Sequence, residues 1–68
     1  MNAGKAVKLF GSKLIGLKIR TNSWGNWLGG VAQVLEINPD ENAKEIVMQI
    51  KKGRQEVGVF HNENIEIV

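Results

Sequence analysis

The sequence has 68 residues, a formal net charge of +2 and no cysteine. This length allows one domain, and the absence of cysteine excludes disulfides and thiolate zinc sites. No apolar run reaches the ~20 residues of a membrane-spanning helix, so we expect a cytoplasmic protein with no membrane partner.

Basic and acidic residues are divided unevenly along the chain. Residues 1–35 hold five basic and no acidic side chains, whereas residues 36–68 hold four basic and seven acidic ones. Such an asymmetry predicts a charged surface that attracts an oppositely charged partner. The alternative is that the two halves interleave in the fold, which would bring the opposite charges close together.

Residues 1–15 give a weak helix signal. Apolar residues recur at positions 6, 9, 10 and 14, but Gly4 and Gly11 each cost about 1 kcal/mol relative to alanine inside a helix. We therefore predict a loosely structured N-terminal arm, or a short extra strand, ahead of a domain over residues 16–68.

From Gly16 onward the pattern is typical of short strands and turns. Alternation and Val- and Ile-rich runs predict five strands, at 17–21, 30–37, 45–51, 56–60 and 65–68. The second strand needs a bulge or bend, because Val34 lies on the opposite parity to Val31 and Leu35. In the third strand, alternation places Ile46, Met48 and Ile50 on one face.

The predicted connections have turn chemistry. They are a loop rich in Asn, Gly and Trp at 22–29, a proline turn at 38–42, a tight hairpin at 52–54 and a short turn at 61–64. Five short strands joined in this way predict an all-β fold that closes into a small antiparallel barrel.

Two stretches resemble the KOW motif of SH3-like barrels. Gly16-Leu-Lys-Ile-Arg-Thr21 is similar to its glycine-led basic strand, and Gly25-Asn-Trp-Leu-Gly29 with the following Gly-Val-Ala-Gln-Val34 is similar to its aromatic loop and Val-rich strand. Residues 59–68 resemble the strand, 3₁₀ turn and final strand that end SH3-type folds. One position departs from the motif, since Ala32 stands where a second glycine is usual.

The resemblance implies an all-β, five-stranded SH3-like small antiparallel barrel. It implies contacts with RNA, ribosomes or transcription complexes for KOW proteins, and peptide or protein docking for other SH3-like proteins. Because one fold hosts many functions, the site residues have to be argued individually.

Both tryptophans lie in the loop at 22–29. Trp27 holds the aromatic position of the motif, where a buried indole would complete a core that is otherwise short of aromatics. Trp24 is flanked by Ser, Gly and Asn, which offer little cover. We expect Trp24 to be partly exposed and to stack on a base or pack on a partner.

Basic residues near this loop suggest a phosphate-binding surface. Lys18 and Arg20 lie on the outward parity of the first strand, and further cations surround the hairpin at 52–54. The predicted residues for binding nucleic acid or a protein partner are Lys18, Arg20, Trp24, Asn26, Trp27, Lys51, Lys52 and Arg54. The alternative is that these cations merely occupy solvated or edge strand positions, where Lys and Arg are common.

Catalytic, metal-binding and cofactor-binding patterns are not found. The chain has no G-x-x-x-x-G-K-[ST] loop, and its one histidine, His61, has no evident nucleophile to activate. Asp40, Glu41 and Glu45 are expected to form a solvated acidic turn. We expect a non-catalytic small binding module without metal or cofactor, whose partner is RNA or a nucleoprotein complex. The alternative is a protein-docking or assembly module that binds another protein or a second copy of itself.

Overall fold

A computed structural model describes residues 1–39 and 46–68 and shows a helical segment followed by five strands. In chain order the elements are α1 (Ala3–Phe10), a 3₁₀ helix (Gly11–Leu14), β1 (Lys18–Thr21), β2 (Gly30–Ile37), β3 (Ile46–Lys52), β4 (Gln55–Phe60) and β5 (Ile65–Ile67). Most of the predicted turn at 38–42, the acidic group Asp40, Glu41 and Glu45, and the predicted start of the third strand lie outside the described residues.

The N-terminal segment is helical, so the prediction of a loose arm or extra strand is wrong. Asn2 caps α1, because its side-chain oxygen accepts a hydrogen bond of 2.7 Å from the Lys5 N–H. The helix ends at Gly11, whose φ of 54° lies in the region that glycine adopts most readily.

The contacts of Gly4 explain why the energetic cost of glycine inside a helix did not prevent α1 from forming. The Gly4 N–H donates a 2.8 Å hydrogen bond to the carbonyl of His61, and a Cβ atom at this position would lie only 3.1 Å from the same oxygen. The absence of a side chain therefore lets α1 approach the turn after β4. Tertiary contact has outweighed local propensity here.

The strands form one antiparallel sheet in the order β4-β3-β2-β1-β5. The prediction of five antiparallel strands is confirmed, but β4 and β5 are the two edges of the sheet and do not pair with each other. The predicted all-β class and the closed SH3-like barrel are therefore wrong, and the fold is mixed α/β with an open sheet. The helical residues at 3–14 pack on the apolar face, which the strands do not enclose by themselves.

Irregular register in β2 and β3 decides which apolar residues face inward. The predicted bulge in β2 is confirmed by a register shift between Val34 and Glu36. A second shift, between Ile46 and Met48, was not predicted. As a result Ile46 is exposed while Met48 is buried, so the expectation that they share a face is wrong.

One hydrophobic core joins the helical segment to the sheet. The 3₁₀ helix adds Leu14 to it, and the loop before β2 adds Trp27. Its buried members are Ala3, Ala6, Val7, Leu14, Ile19, Trp27, Ala32, Val34, Val47, Met48, Ile50, Val59 and Ile65. The other face of the sheet, which we call the open face, is turned to solvent.

Candidate nucleic-acid interface

The two tryptophans face each other across a tight turn. Trp24 and Trp27 exchange two backbone hydrogen bonds, of 3.0 and 2.7 Å, which close the turn around Gly25 and Asn26. Gly25 has a φ of 51°, whereas Asn26 does not have a positive φ. This combination matches a type II′ turn, in which glycine takes the first central position.

Trp27 belongs to the core. Only 2% of its surface is exposed, and its indole Nε1 donates a 2.7 Å hydrogen bond to the Thr21 hydroxyl. That hydroxyl in turn donates to the carbonyl of Asn22 at 2.9 Å. The interpretation of Trp27 as a structural side chain is therefore confirmed, since the buried indole has both its apolar contacts and its polar partner inside the chain.

Trp24 lies at the boundary between core and solvent. It is half-buried, and its ring centroid lies 6.1 Å from that of Trp27 at an interplanar angle of 44°. Partial exposure of Trp24 is thus confirmed. One side of the ring rests on the core, and the remaining surface is open to solvent.

The tryptophan loop is tied to the turn between β3 and β4. Lys52 Nζ donates to the carbonyl of Gly29 at 3.1 Å, and Gln55 Nε2 donates to the carbonyl of Asn26 at 3.3 Å. The structure thus brings Lys52 and the exposed Arg54 to the end of the sheet that carries Trp24. The ammonium group of Lys52 therefore also holds the tryptophan loop in place.

Basic side chains also lie in a row across the open face. Lys18 of β1 pairs with Gln33 of β2, and Gln33 pairs with Lys51 of β3. Directly paired residues of an antiparallel sheet project to the same face, and two strand spacings separate the two lysines by about 10 Å. Both lysines are exposed, and neither has an ion-pair partner among the described residues.

Acidic side chains flank this row on the two edge strands. Arg20 pairs with Glu66 of β5, with 3.5 Å between Arg20 Nη1 and Glu66 Oε2. Lys51 is opposite Glu56 of β4. The two halves of the chain therefore interleave, as the alternative interpretation of the charge asymmetry expected. Within the sheet the basic side chains lie on β1 and β3, and the strand between them, β2, carries Glu36.

Leu28 is a surface residue that the sequence reasoning missed. Its side chain is 86% exposed, next to the buried Trp27. Alternation offered a signal, because the neighbour of an inward-pointing residue in an extended segment points outward. The tryptophan loop thus presents a fully exposed apolar side chain in addition to Trp24.

Residues 1–39 and 46–68 show neither a metal-binding cluster nor a membrane-spanning helix. These residues hold no group of three or more His, Asp or Glu side chains placed to share a metal ion. They also contain no helix with the length and apolar character needed to cross a membrane. His61 lies in the turn after β4, and its backbone carbonyl accepts the hydrogen bond from Gly4.

Comparison of the chain with protein-family models, with curated proteins and with solved structures finds no match.

Proposed function

We propose that this protein is a non-catalytic binding module that contacts single-stranded RNA, alone or within a nucleoprotein complex, through the open face of its sheet. The observation that carries the proposal is the row of Lys18, Gln33 and Lys51, in which two lysines without an ion-pair partner among the described residues flank a polar side chain. A phosphate backbone that follows this row would release counterions, and that release favours binding.

The surface continues toward the tryptophan loop. Arg54 has no ion-pair partner in the described parts of the chain, and it lies at the same end of the sheet as Trp24. An aromatic side chain beside a basic groove is a common platform for a base of single-stranded nucleic acid. The similarity of residues 16–34 to the KOW motif supports the same class of partner.

Fluorescence anisotropy with a labelled oligouridylate, measured over a series of salt concentrations, tests this proposal. A Lys18→Gln/Lys51→Gln variant is compared with Lys5→Gln/Lys8→Gln, which removes the same charge from the exposed surface of α1. Each phosphate contact contributes about −0.7 to the slope of log K against log salt, so the open-face variant is expected to lose about 1.4 of that slope. The α1 variant is expected to keep it.

Two outcomes would contradict the proposal in different ways. Equal weakening by both double variants would show that the binding follows net charge rather than the open face. If the wild-type protein bound no RNA at low ionic strength, RNA would be eliminated as the partner.

A second candidate function, docking of another protein, is favoured by the exposure of Leu28. A leucine side chain that is 86% exposed in this loop offers apolar area that folding of the monomer does not use. Leu28→Ser separates the two functions. It is expected to weaken a protein complex that is built on the loop, and to leave the affinity and salt slope for oligouridylate unchanged.

A further inference from the structure

The two edges of the sheet differ in what covers them. On β5, the backbone N–H of Ile65 donates to the Met1 carbonyl at 2.7 Å, and the Ile65 carbonyl accepts from the Met1 nitrogen at 3.0 Å. On β4, the backbone groups of Glu56 and Gly58 have no hydrogen-bond partner from outside the sheet among the described residues. Among the described residues, β4 is therefore the longer open edge, because on β5 only Ile67 keeps outward backbone groups that Met1 does not cover.

The geometry of the β3–β4 hairpin determines which groups of β4 face outward. The two-residue turn makes Lys52 and Gln55 the first pair, and in such hairpins this pair is hydrogen-bonded. Hydrogen-bonded pairs then alternate with non-hydrogen-bonded ones along the ladder. Glu56 and Gly58 occupy the non-hydrogen-bonded positions, so their N–H and C=O groups point away from β3.

Apolar side chains accompany these unpaired backbone groups. Val57 is only half-buried on the core face, and Phe60 remains 43% exposed. The Ile46 side chain lies against Gly58, since a Cβ atom there would come within 2.6 Å of it. A strand placed about 4.8 Å beyond β4 would cover Val57 and satisfy the free backbone groups.

We propose that β4 pairs antiparallel with β4 of a second copy of this chain and forms a symmetric dimer. Pairing of β4 with β5 of another copy is obstructed, because Met1 already occupies the outward groups of Ile65. Two identical open edges remain, and a twofold axis relates them in a closed assembly.

Charge selects the register of this pairing. A register that places Glu56 opposite the partner's Glu56 sets like charges against each other. The register centred on Val57 instead places Glu56 opposite the partner's Gly58, and it brings Arg54 of the turn near the partner's Phe60 at the end of β4. The second pair allows a cation–π contact, and Val57 meets its own copy. This self-complementarity within one strand favours a second copy over an unrelated extended peptide.

Sedimentation equilibrium up to millimolar protein concentration tests the proposal. The wild-type mass is expected to approach twice the 7.5 kDa of the monomer. Glu56→Pro removes an outward N–H and leaves the ladder to β3 intact, so this variant is expected to remain monomeric. Ile67→Pro is the matched control, because the Ile67 N–H also faces outward, at the β5 edge; it is expected to dimerise like the wild type.

Hydrogen exchange of the wild-type protein gives a readout that does not depend on a variant folding. The amides of Glu56 and Gly58 are expected to exchange more slowly as the protein concentration rises, while the amide of Ile67 does not change. The proposal is overturned by a monomeric mass at every concentration, by growth beyond a dimer, or by equal dimerisation of the Glu56→Pro variant.

Discussion

The two faces of the sheet come from the same strands, and neighbouring residues supply both. In β1, Ile19 is buried against the core while Lys18 and Arg20 are exposed on the open face. In β2, Ala32 faces the core and Gln33 faces solvent. The core face is covered by the helical segment and the Trp27 indole, and no described element covers the open face. The packing of the helix, rather than closure of the sheet, therefore determines which surface is left exposed to solvent.

Replacing Trp27 is expected to have the largest effect among the changes that test this comparison. Trp27→Ala removes a buried aromatic ring and leaves the Thr21 hydroxyl without its donor, and we expect the free energy of unfolding to fall by about 3–5 kcal/mol. Trp24→Ala is the control, because its ring is only half-buried and its removal is expected to lower the free energy of unfolding by less. Urea denaturation of both variants measures the difference, and equal losses would remove the distinction between a core and a surface tryptophan.

Substitution of Gly4 tests how the helix covers the core face. Gly4→Val places a side chain against the backbone of His61 and forces α1 away from the turn after β4. We expect a loss of about 1–3 kcal/mol in the free energy of unfolding. Lys5→Val introduces the same side chain at an exposed position of α1 and is expected to change stability by less than about 0.5 kcal/mol. Because valine has a higher helix propensity than glycine, an unchanged or increased stability of the Gly4→Val variant would show that the contact with His61 does not limit stability.

The smallest effect is expected for the ion pair on the open face. A double-mutant cycle with Arg20→Ala and Glu66→Ala is expected to give a coupling energy of about 0.5 kcal/mol or less, because both side chains are more than half exposed. The coupling is expected to disappear at high salt. A salt-insensitive coupling above about 1 kcal/mol would show that this pair is structural and that the open face is less solvated than its exposure indicates.

The strands could be predicted because their signals are local. The second strand was predicted at 30–37, which is the range of β2, and the glycine turn at 52–54 correctly separated the third and fourth strands. The helix could not be predicted from its own residues. Asn2 caps the helix, but a single asparagine near the start of a segment is a weak signal for a helix. The contact that favours glycine at position 4 involves His61, which is far along the chain.

The open form of the sheet could not be predicted from the strand pattern. Strand periodicity specifies one apolar face but does not say whether that face is buried by other strands or by a helix. The closed barrel was predicted from five short strands with regular turns and from the resemblance to SH3-like barrels. Neither signal indicates the helical segment that covers the apolar face in the structure.

The candidate site could be predicted in part. The motif position and the shortage of other aromatics correctly indicated a buried Trp27, and the small polar neighbours of Trp24 correctly indicated partial exposure. Alternation correctly placed Lys18 and Arg20 outward. The pairing of Arg20 with Glu66 could not be predicted, because 46 positions separate them and only the pairing of β1 with β5 brings them together. The strand register thus determines which of these cations has an ion-pair partner among the described residues.

The attachment of the N-terminal segment to the turn after β4 and to β5 also constrains the order in which the chain can fold. Met1 and Ile65 are 64 positions apart, and α1 docks on a turn that is synthesised long after it. A helix of eight residues is marginally stable alone in water, so α1 is expected to be held in place only after the strands of the core that it packs on have been synthesised. We expect α1 to dock in the same late step as the pairing of β1 with β5, because both events join residues that are far apart in the sequence.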